Sequence, residues 1–524
     1  MISSLRLATI DEILDAAADE YGSRVAVVDG NTELTFAEVG ELSKRLAKQF
    51  IHLGIRKGDK VGIQLPNNWH YVVSHFALAR IGAVLTPLNM AYRQRELRYM
   101  LQHNEVKMMI VPGTWRGHDQ VSLIREIWPE VPSLTHIVVS GESTGRDLVS
   151  LSNLLNAEPD VKDAELIANR PELDDPFAIM FTSGTENAPK ATLHTYRTFV
   201  PGHVDLAQEY QYTEQDVILC LGSFSHMFAL PMMFLGVRNG LRHVMLESYS
   251  PDAFLELAAR ESVSVSTGVP SQWLDILRRS DEIGDHPALR LVVTGGSKIP
   301  PHMVHELRDK FCCTVAAQWG MTEVGAGTYT RPDDPPEKSW ETIGRACPGG
   351  EARVYDEQLN RLPPGEIGEL GYRSPSRFIE YYKNPAANES AFTDDGFFLT
   401  GDLVWMDDEG YLHFAGRTRD TINRGGLKIH AAEIEDLLIE HPAVRQVSLV
   451  KMPDPRLGER ACAFVSLIEE KTVTLEELVT YLIAKGVAKY KLPERLEVRT
   501  ELPTTATGKV RKTVLVSEIL NILN

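Results

Sequence analysis

The chain has 524 residues, 43% hydrophobic and 24% charged, enough to bury substantial cores and too many for one simple domain. Its 72 acidic against 54 basic residues leave a formal charge of −18, which argues against nucleic acid and anionic membranes as partners, since both select clustered positive charge. The five cysteines, Cys220, Cys312, Cys313, Cys347 and Cys462, are odd in number and lack paired metal-ligand spacing, which argues against a disulfide framework or a zinc site and points to a reducing compartment.

The opening MISSLRLATIDEILDAAADEY has no apolar core followed by a cleavage site, and no later stretch approaches the roughly 20 apolar residues of a membrane span, so a soluble cytoplasmic protein is expected. Thr9 and Glu12 make a capping box ahead of Ile10, Ile13, Leu14, Ala17 and Tyr21 at helical spacing. Thr35 and Glu38 repeat the device before Val39, Leu42, Leu46, Phe50 and Leu53, with Gly54 placed to end the helix. Val61 to Leu65 then reads as a strand, Tyr71 to Ile81 as a helix and Ala83 to Pro87 as a strand. This alternation predicts an α/β fold with buried strands.

The apolar run Phe177 to Phe181 leads into TSGTENAPK at 182–190, a strand feeding a loop rich in hydroxyls and ending in Lys190. Backbone N–H groups around Gly184, the hydroxyls of Thr182, Ser183 and Thr185, and the Lys190 ammonium suit a polyphosphate. No Gly-Lys-Ser/Thr closes the loop, so it is not the Walker pattern. Val217 to Leu221, Val263 to Val269 and Leu291 to Thr294 follow as strands ending in Gly, Ser or Pro, where a parallel sheet usually presents its ligands.

From Gly350 the texture changes to short alternating segments with turn signals, which reads as a small antiparallel sheet or barrel. A domain boundary is expected near residue 418. Beyond it, helix 431–440, strand 445–451, a strand around 461–468 and helix 474–486 predict a compact α+β lid over 419–524. The predicted architecture is thus a large 1–418 domain of parallel sheets flanked by helices with a small β-barrel, and a mobile C-terminal lid.

Four further motifs stand in order: QWGMTE at 318–323, TGD at 400–402, GRTRDTINRGG at 416–426 and PTTATGK at 503–509. With the 182–190 loop, their order and spacing resemble the adenylate-forming superfamily of acyl-CoA synthetases, peptide-synthetase adenylation domains and beetle luciferases. The resemblance spans nearly the whole chain. It implies ATP, Mg2+ and coenzyme A as cofactors, and a reaction in which a carboxylate is activated as acyl-AMP. Positioning and electrostatics supply most of the catalysis for such a step.

By that resemblance Thr182, Ser183, Gly184, Thr185 and Lys190 hold phosphates, and Glu323 with Thr185 holds magnesium through oxygen ligands. Thr322 contacts the α-phosphate, while Gln318, Trp319, Gly296 and Ser297 line the nucleotide site. Asp402 accepts the ribose hydroxyls and Arg417 reaches the ribose or the phosphates. Lys509 bridges the carboxylate and the α-phosphate, and Arg419 is the hinge on which the lid turns. Gly425 and Gly426 line a pantetheine tunnel, and Lys428, Lys491 and Arg511 are further candidates for coenzyme A phosphates. His226 closes the acyl pocket, with Met227, Phe228, Met232, Gly295 and Gly320 around it.

Two departures from the pattern stand in the phosphate loop. Glu186 and Asn187 replace Thr-Gly before Pro-Lys, and Ala191 follows the lysine in place of Gly. Asn187 tolerates the left-handed conformation, whereas Glu186 adds negative charge beside a triphosphate.

The chain is similar both to aryl-acid AMP ligases and to CoA ligases for medium-chain or alicyclic acids. Dihydroxybenzoate-activating enzymes put polar groups just after the histidine, to satisfy ring hydroxyls. Here Met227 and Met232 predict an apolar, adaptable wall for a medium-chain, branched, alicyclic or unsubstituted aryl acid. The thiol acceptor is coenzyme A or, as the alternative, the pantetheine of a carrier protein; a homodimer is left open. A nucleotide-binding protein without catalysis is disfavoured by the joint presence of Lys509, Glu323 and Asp402.

Overall fold

A computed structural model describes residues 5–141, 145, 147–182, 189–283, 287–504 and 509–523. The chain forms two compact units. One takes most of the sequence up to Glu351 together with Arg373–Ser390, and the other takes Ala352–Tyr372 and the chain from Ala391 onward. The boundary expected near 418 therefore falls inside the second unit. Among the described residues no helix is long and apolar enough to cross a membrane.

The first unit opens with the predicted capped helices, Ile10–Tyr21 and Phe36–His52. The Glu12 carboxylate accepts from the Thr9 N–H at 2.9 Å. Glu38 accepts from the Thr35 N–H at 2.8 Å while the Thr35 hydroxyl accepts from the Glu38 N–H at 3.2 Å, so donors that the first helical turn leaves without partners are satisfied locally. Helix Trp69–Arg80 is buried on nearly every face, which explains why its sequence is apolar all round instead of striped.

Two large sheets follow from the α/β alternation. The nine-stranded one runs Arg345–Ala346, Gly325–Tyr329, Thr314–Met321, Leu291–Gly295, Val265–Gly268, Val217–Cys220, Arg242–Val244, Val25–Asp29 and Thr32–Thr35. Its interior pairs are parallel and its edges antiparallel. The eight-stranded sheet runs Glu380–Tyr381, Ala191–Thr195, Pro176–Phe181, Val84–Pro87, Lys60–Ile63, Met108–Pro112, His136–Ser140 and Leu148–Ser150. Interior strands such as Met108–Pro112 and Leu291–Gly295 are buried at every position, as strands covered on both faces must be.

In the second unit, the alternating segment after Gly350 folds as a four-stranded antiparallel sheet, Glu351–Tyr355, Gly368–Arg373, Phe398–Met406 and Leu412–Arg417. The last hundred residues form a five-stranded sheet with helices Ala431–Leu438, Leu475–Ala484 and Lys512–Leu523. Strand Gly458–Leu467 divides its side chains by the two-residue period. Ala461, Ala463 and Val465 pack with Ile434, Leu478 and Leu482, whereas Cys462 and Phe464 pack with Leu515 and Ile519 on the opposite face.

One close approach falls at the last residue of strand Leu291–Gly295. Gly295 lies opposite Gln318, and a Cβ at Gly295 would stand 1.9 Å from the Gln318 carbonyl oxygen. Gly320 is in the same position toward the Gly325 carbonyl, at 2.1 Å. Packing alone therefore demands glycine at both positions, whatever they do for a substrate. Gly295→Ala should lower stability by about 1–3 kcal/mol, the usual range for overpacking. A drop in the urea unfolding midpoint relative to wild type is the expected readout; an unchanged midpoint contradicts the close approach.

Candidate active site

Strands Pro176–Phe181 and Ala191–Thr195 pair antiparallel, with Phe181 opposite Ala191, and so bring the two ends of the 182–190 loop together. The Thr182 N–H donates to the Lys190 carbonyl at 2.8 Å. Lys190 is exposed and Thr182 half-buried. Ser183, Gly184 and Thr185, together with Glu186 and Asn187, lie outside the described residues.

Thr322 and Glu323 turn the chain between Thr314–Met321 and Gly325–Tyr329. This turn is gripped from several sides. Nε2 of His194 donates to the Thr322 carbonyl at 2.7 Å. Burial pulls the His194 pKa down to about 4, so the ring is neutral near pH 7 and its hydrogen sits on Nε2, leaving Nδ1 to accept from the Thr198 hydroxyl at 3.4 Å. The Phe378 N–H donates to the Glu323 carbonyl at 2.7 Å, and the Tyr381 hydroxyl donates to Glu323 Oε1 at 2.9 Å. Burial and then the Glu323 charge raise the phenol well above its ordinary range, which keeps it a donor. The Lys190 ammonium lies 4.6 Å from the centre of the same ring. Tyr381 thus joins two predicted site residues, Lys190 and Glu323.

Gln318 and Trp319 are buried at the end of the preceding strand, and exposed Gly296 and Ser297 follow the neighbouring one. The Trp319 ring packs on Gly327, so close that a Cβ there would stand 2.5 Å from it. Packing on the adjacent strand therefore accounts for the burial of this side chain.

His226 is exposed in the turn after Val217–Cys220, and its Nδ1 accepts from the Phe228 N–H at 3.3 Å. Asn67 holds that turn, donating to the Gly222 carbonyl at 2.8 Å and accepting from the Phe224 N–H at 2.9 Å. Met227, Met232 and Met233 are buried and Phe228 is half-buried. Sequence reasoning missed Asn67, His194 and Tyr381. The cues they offered were the first of two Asn before a helix, a polar residue in a strand and the first of two tyrosines in EYYKNP, none of which distinguishes a contact from an ordinary surface.

In the second unit Asp402 and Arg417 face each other across Phe398–Met406 and Leu412–Arg417, with the Arg417 Nε 2.9 Å from Asp402 Oδ1. Asp402 is buried; its N–H donates to the Thr400 hydroxyl at 3.2 Å, and that hydroxyl donates to the Leu370 carbonyl at 2.8 Å. Lys509 falls within electrostatic reach of Asp402, Arg417 and Arg419, so four predicted residues of this unit form one group. Desolvation by packed atoms, then repulsion from Arg417, pulls the Lys509 ammonium down to about 8; Arg419 adds to this and Asp402 opposes it. The residue retains exposed surface, so its proton exchanges with solvent.

Gly425 and Gly426 form the tip of the hairpin between Thr421–Arg424 and Leu427–His430, with φ of 59° and 89°, a turn that glycine makes without strain. Lys428 is ion-paired with Glu357, and Lys491 with Glu433 at 2.7 Å. Among the described residues no group of three or more His, Cys, Asp or Glu is arranged to hold a metal.

The chain belongs to the AMP-binding enzyme family, whose profile matches residues 14–382, while that of the AMP-binding enzyme C-terminal domain matches 433–509. It is 36% identical over 506 residues to a salicylyl-CoA synthase / salicylate adenylyltransferase of a Streptomyces species, covering 94% of this chain and 91% of that one. It is 32% identical over 523 residues to the medium-chain fatty-acid–CoA ligase of Escherichia coli K12, covering 98% and 91%. The crystal structure of ATP-bound MatB from Rhodopseudomonas palustris matches with a TM-score of 0.87 at 26% identity, covering 99% of this chain and 100% of that one. ATP-dependent activation of a carboxylic acid is therefore the family-level activity.

The Lys509 environment yields a direct test. An amine with a pKa near 8 reacts with acetic anhydride at a pH where ordinary lysines, near 10.4, are still protonated. Acetylation of Lys509, followed by mass spectrometry, should reach half its limiting rate near pH 8 and shift upward in Arg417→Gln.

Proposed function

We propose that this protein is an ATP-dependent acid–CoA ligase for an apolar carboxylic acid, forming acyl-AMP with release of pyrophosphate and then passing the acyl group to the coenzyme A thiol. The observation that carries the substrate class is the buried Met227 and Met232 beside His226. A ring hydroxyl such as that of salicylate needs a hydrogen-bond partner when buried, and thioethers supply only a weak acceptor. Medium-chain, branched, alicyclic or unsubstituted aryl acids suit that wall.

In this reading Thr182, Ser183, Gly184, Thr185 and Lys190 bind the phosphates, and Asp402 accepts the ribose hydroxyls with Arg417 beside it. The donor set at Glu323 fits magnesium. It is a hard oxygen ligand, and among the described residues no group of three or more His, Cys, Asp or Glu is arranged to hold a metal, as suits a cation that takes its remaining ligands from phosphates and water. Bound there with Thr185, the ion supplies neutralisation of phosphate charge. Thr322 contacts the α-phosphate. Residues 419–524 act as a lid turning about Arg419, and Lys509 stabilises charge growing between carboxylate and α-phosphate.

Coenzyme A-dependent AMP formation across butyrate to dodecanoate, cyclohexanecarboxylate, benzoate and 2,3-dihydroxybenzoate tests the reading. Turnover is expected on an apolar acid and little on dihydroxybenzoate. Acid-driven pyrophosphate exchange that coenzyme A does not alter overturns the ligase and indicates a carrier-protein acceptor. Lys509→Ala should slow acyl-AMP formation by roughly 10² to 10³, while thioester formation from supplied acyl-AMP stays within about threefold. Equal loss of both half-reactions removes Lys509 from its role.

A further inference from the structure

Tyr381 stands where the loop lysine and the turn glutamate meet. Its strand, Glu380–Tyr381, pairs with Ala191–Thr195 so that Tyr381 lies opposite Thr192, two residues past Lys190. Asn388 clasps its main chain, accepting from the Tyr381 N–H at 2.7 Å and donating to the Tyr381 carbonyl at 3.0 Å. The Phe378 ring sits 4.8 Å from the Tyr381 ring, and the Phe378 N–H holds the Glu323 carbonyl. The segment therefore grips Glu323 by both its backbone and its carboxylate.

We propose that Tyr381 is a positioning residue that holds Lys190 and Glu323 ready for a magnesium-bound polyphosphate by keeping these opposite charges apart across one neutral ring. The hydroxyl orients the carboxylate and the ring face seats the ammonium. Without the ring, the two groups are drawn into an ion pair that nucleotide and cation must first break. With it, each keeps its own direction. Donation from the hydroxyl also pushes electron density into the ring, so the two contacts strengthen each other. The inference rests on the nucleotide-activating reading of this site.

The test is calorimetric binding of ATP to the full chain, with saturating magnesium and with chelator, which reads affinity independently of turnover. Tyr381→Phe removes the hydroxyl and keeps the ring: ATP affinity with magnesium should fall roughly tenfold, as for loss of one hydrogen bond to a charged group, while metal-free affinity stays within about twofold. Tyr381→Leu should lose affinity under both conditions. In a Glu323→Gln background, adding Tyr381→Phe should change magnesium dependence by less than about twofold, because the hydroxyl acts through that carboxylate. If Tyr381→Phe matches wild type, or weakens ATP equally with and without magnesium, the positioning role is overturned. A wild-type chain that does not bind magnesium-ATP at all overturns the nucleotide reading itself.

Discussion

The first unit's site depends on how one buried carboxylate is held. Glu323 sits in a turn whose carbonyls accept from His194 and the Phe378 N–H, and its side chain accepts from Tyr381. Removing a carboxylate from water is costly unless hydrogen bonds replace the lost hydration. Bonds to a charged group contribute about 1.5–3 kcal/mol each and those between neutral groups about 0.5–1.5. The strand Thr314–Met321 leads into the turn at its end, and the bare backbones of Gly295 and Gly320 let the neighbouring strands approach closely there. Sheet packing and site geometry are thus one constraint.

The second unit solves the opposite problem. Arg417 pairs with the buried Asp402 carboxylate and Arg419 stands 3.8 Å from Asp420, while desolvation and then repulsion from Arg417 lower the Lys509 pKa. Desolvation disfavours the charged form of the ammonium, as it does for any cation drawn out of water.

Much of this was legible in the chain because it is governed by near neighbours. The capping boxes at Thr9 and Thr35, the helix of Tyr71 to Ile81 and the two-residue period of Gly458–Leu467 follow from spacing along the backbone. Elements expected at 431–440, 445–451, 461–468 and 474–486 appear as Ala431–Leu438, Val444–Asp454, Gly458–Leu467 and Leu475–Ala484. The second unit's extent was not legible. The strands after residue 351 join it by pairing with Phe398–Met406, and local texture does not tell which side of a boundary such a pairing falls on.

What the sequence determined by itself is the set of elements, the family, and the loops that end in chemistry, since helical and strand periods and ordered motifs are one-dimensional properties. What the tertiary structure decided is which side chains meet. Tyr381 reaches Glu323 across 58 residues, His194 reaches Thr322 across 128 and Asn67 reaches Phe224 across 157. Their residue types carry no mark of those partners, because a hydrogen bond depends on distance and direction in space, and only the folded sheets supply both.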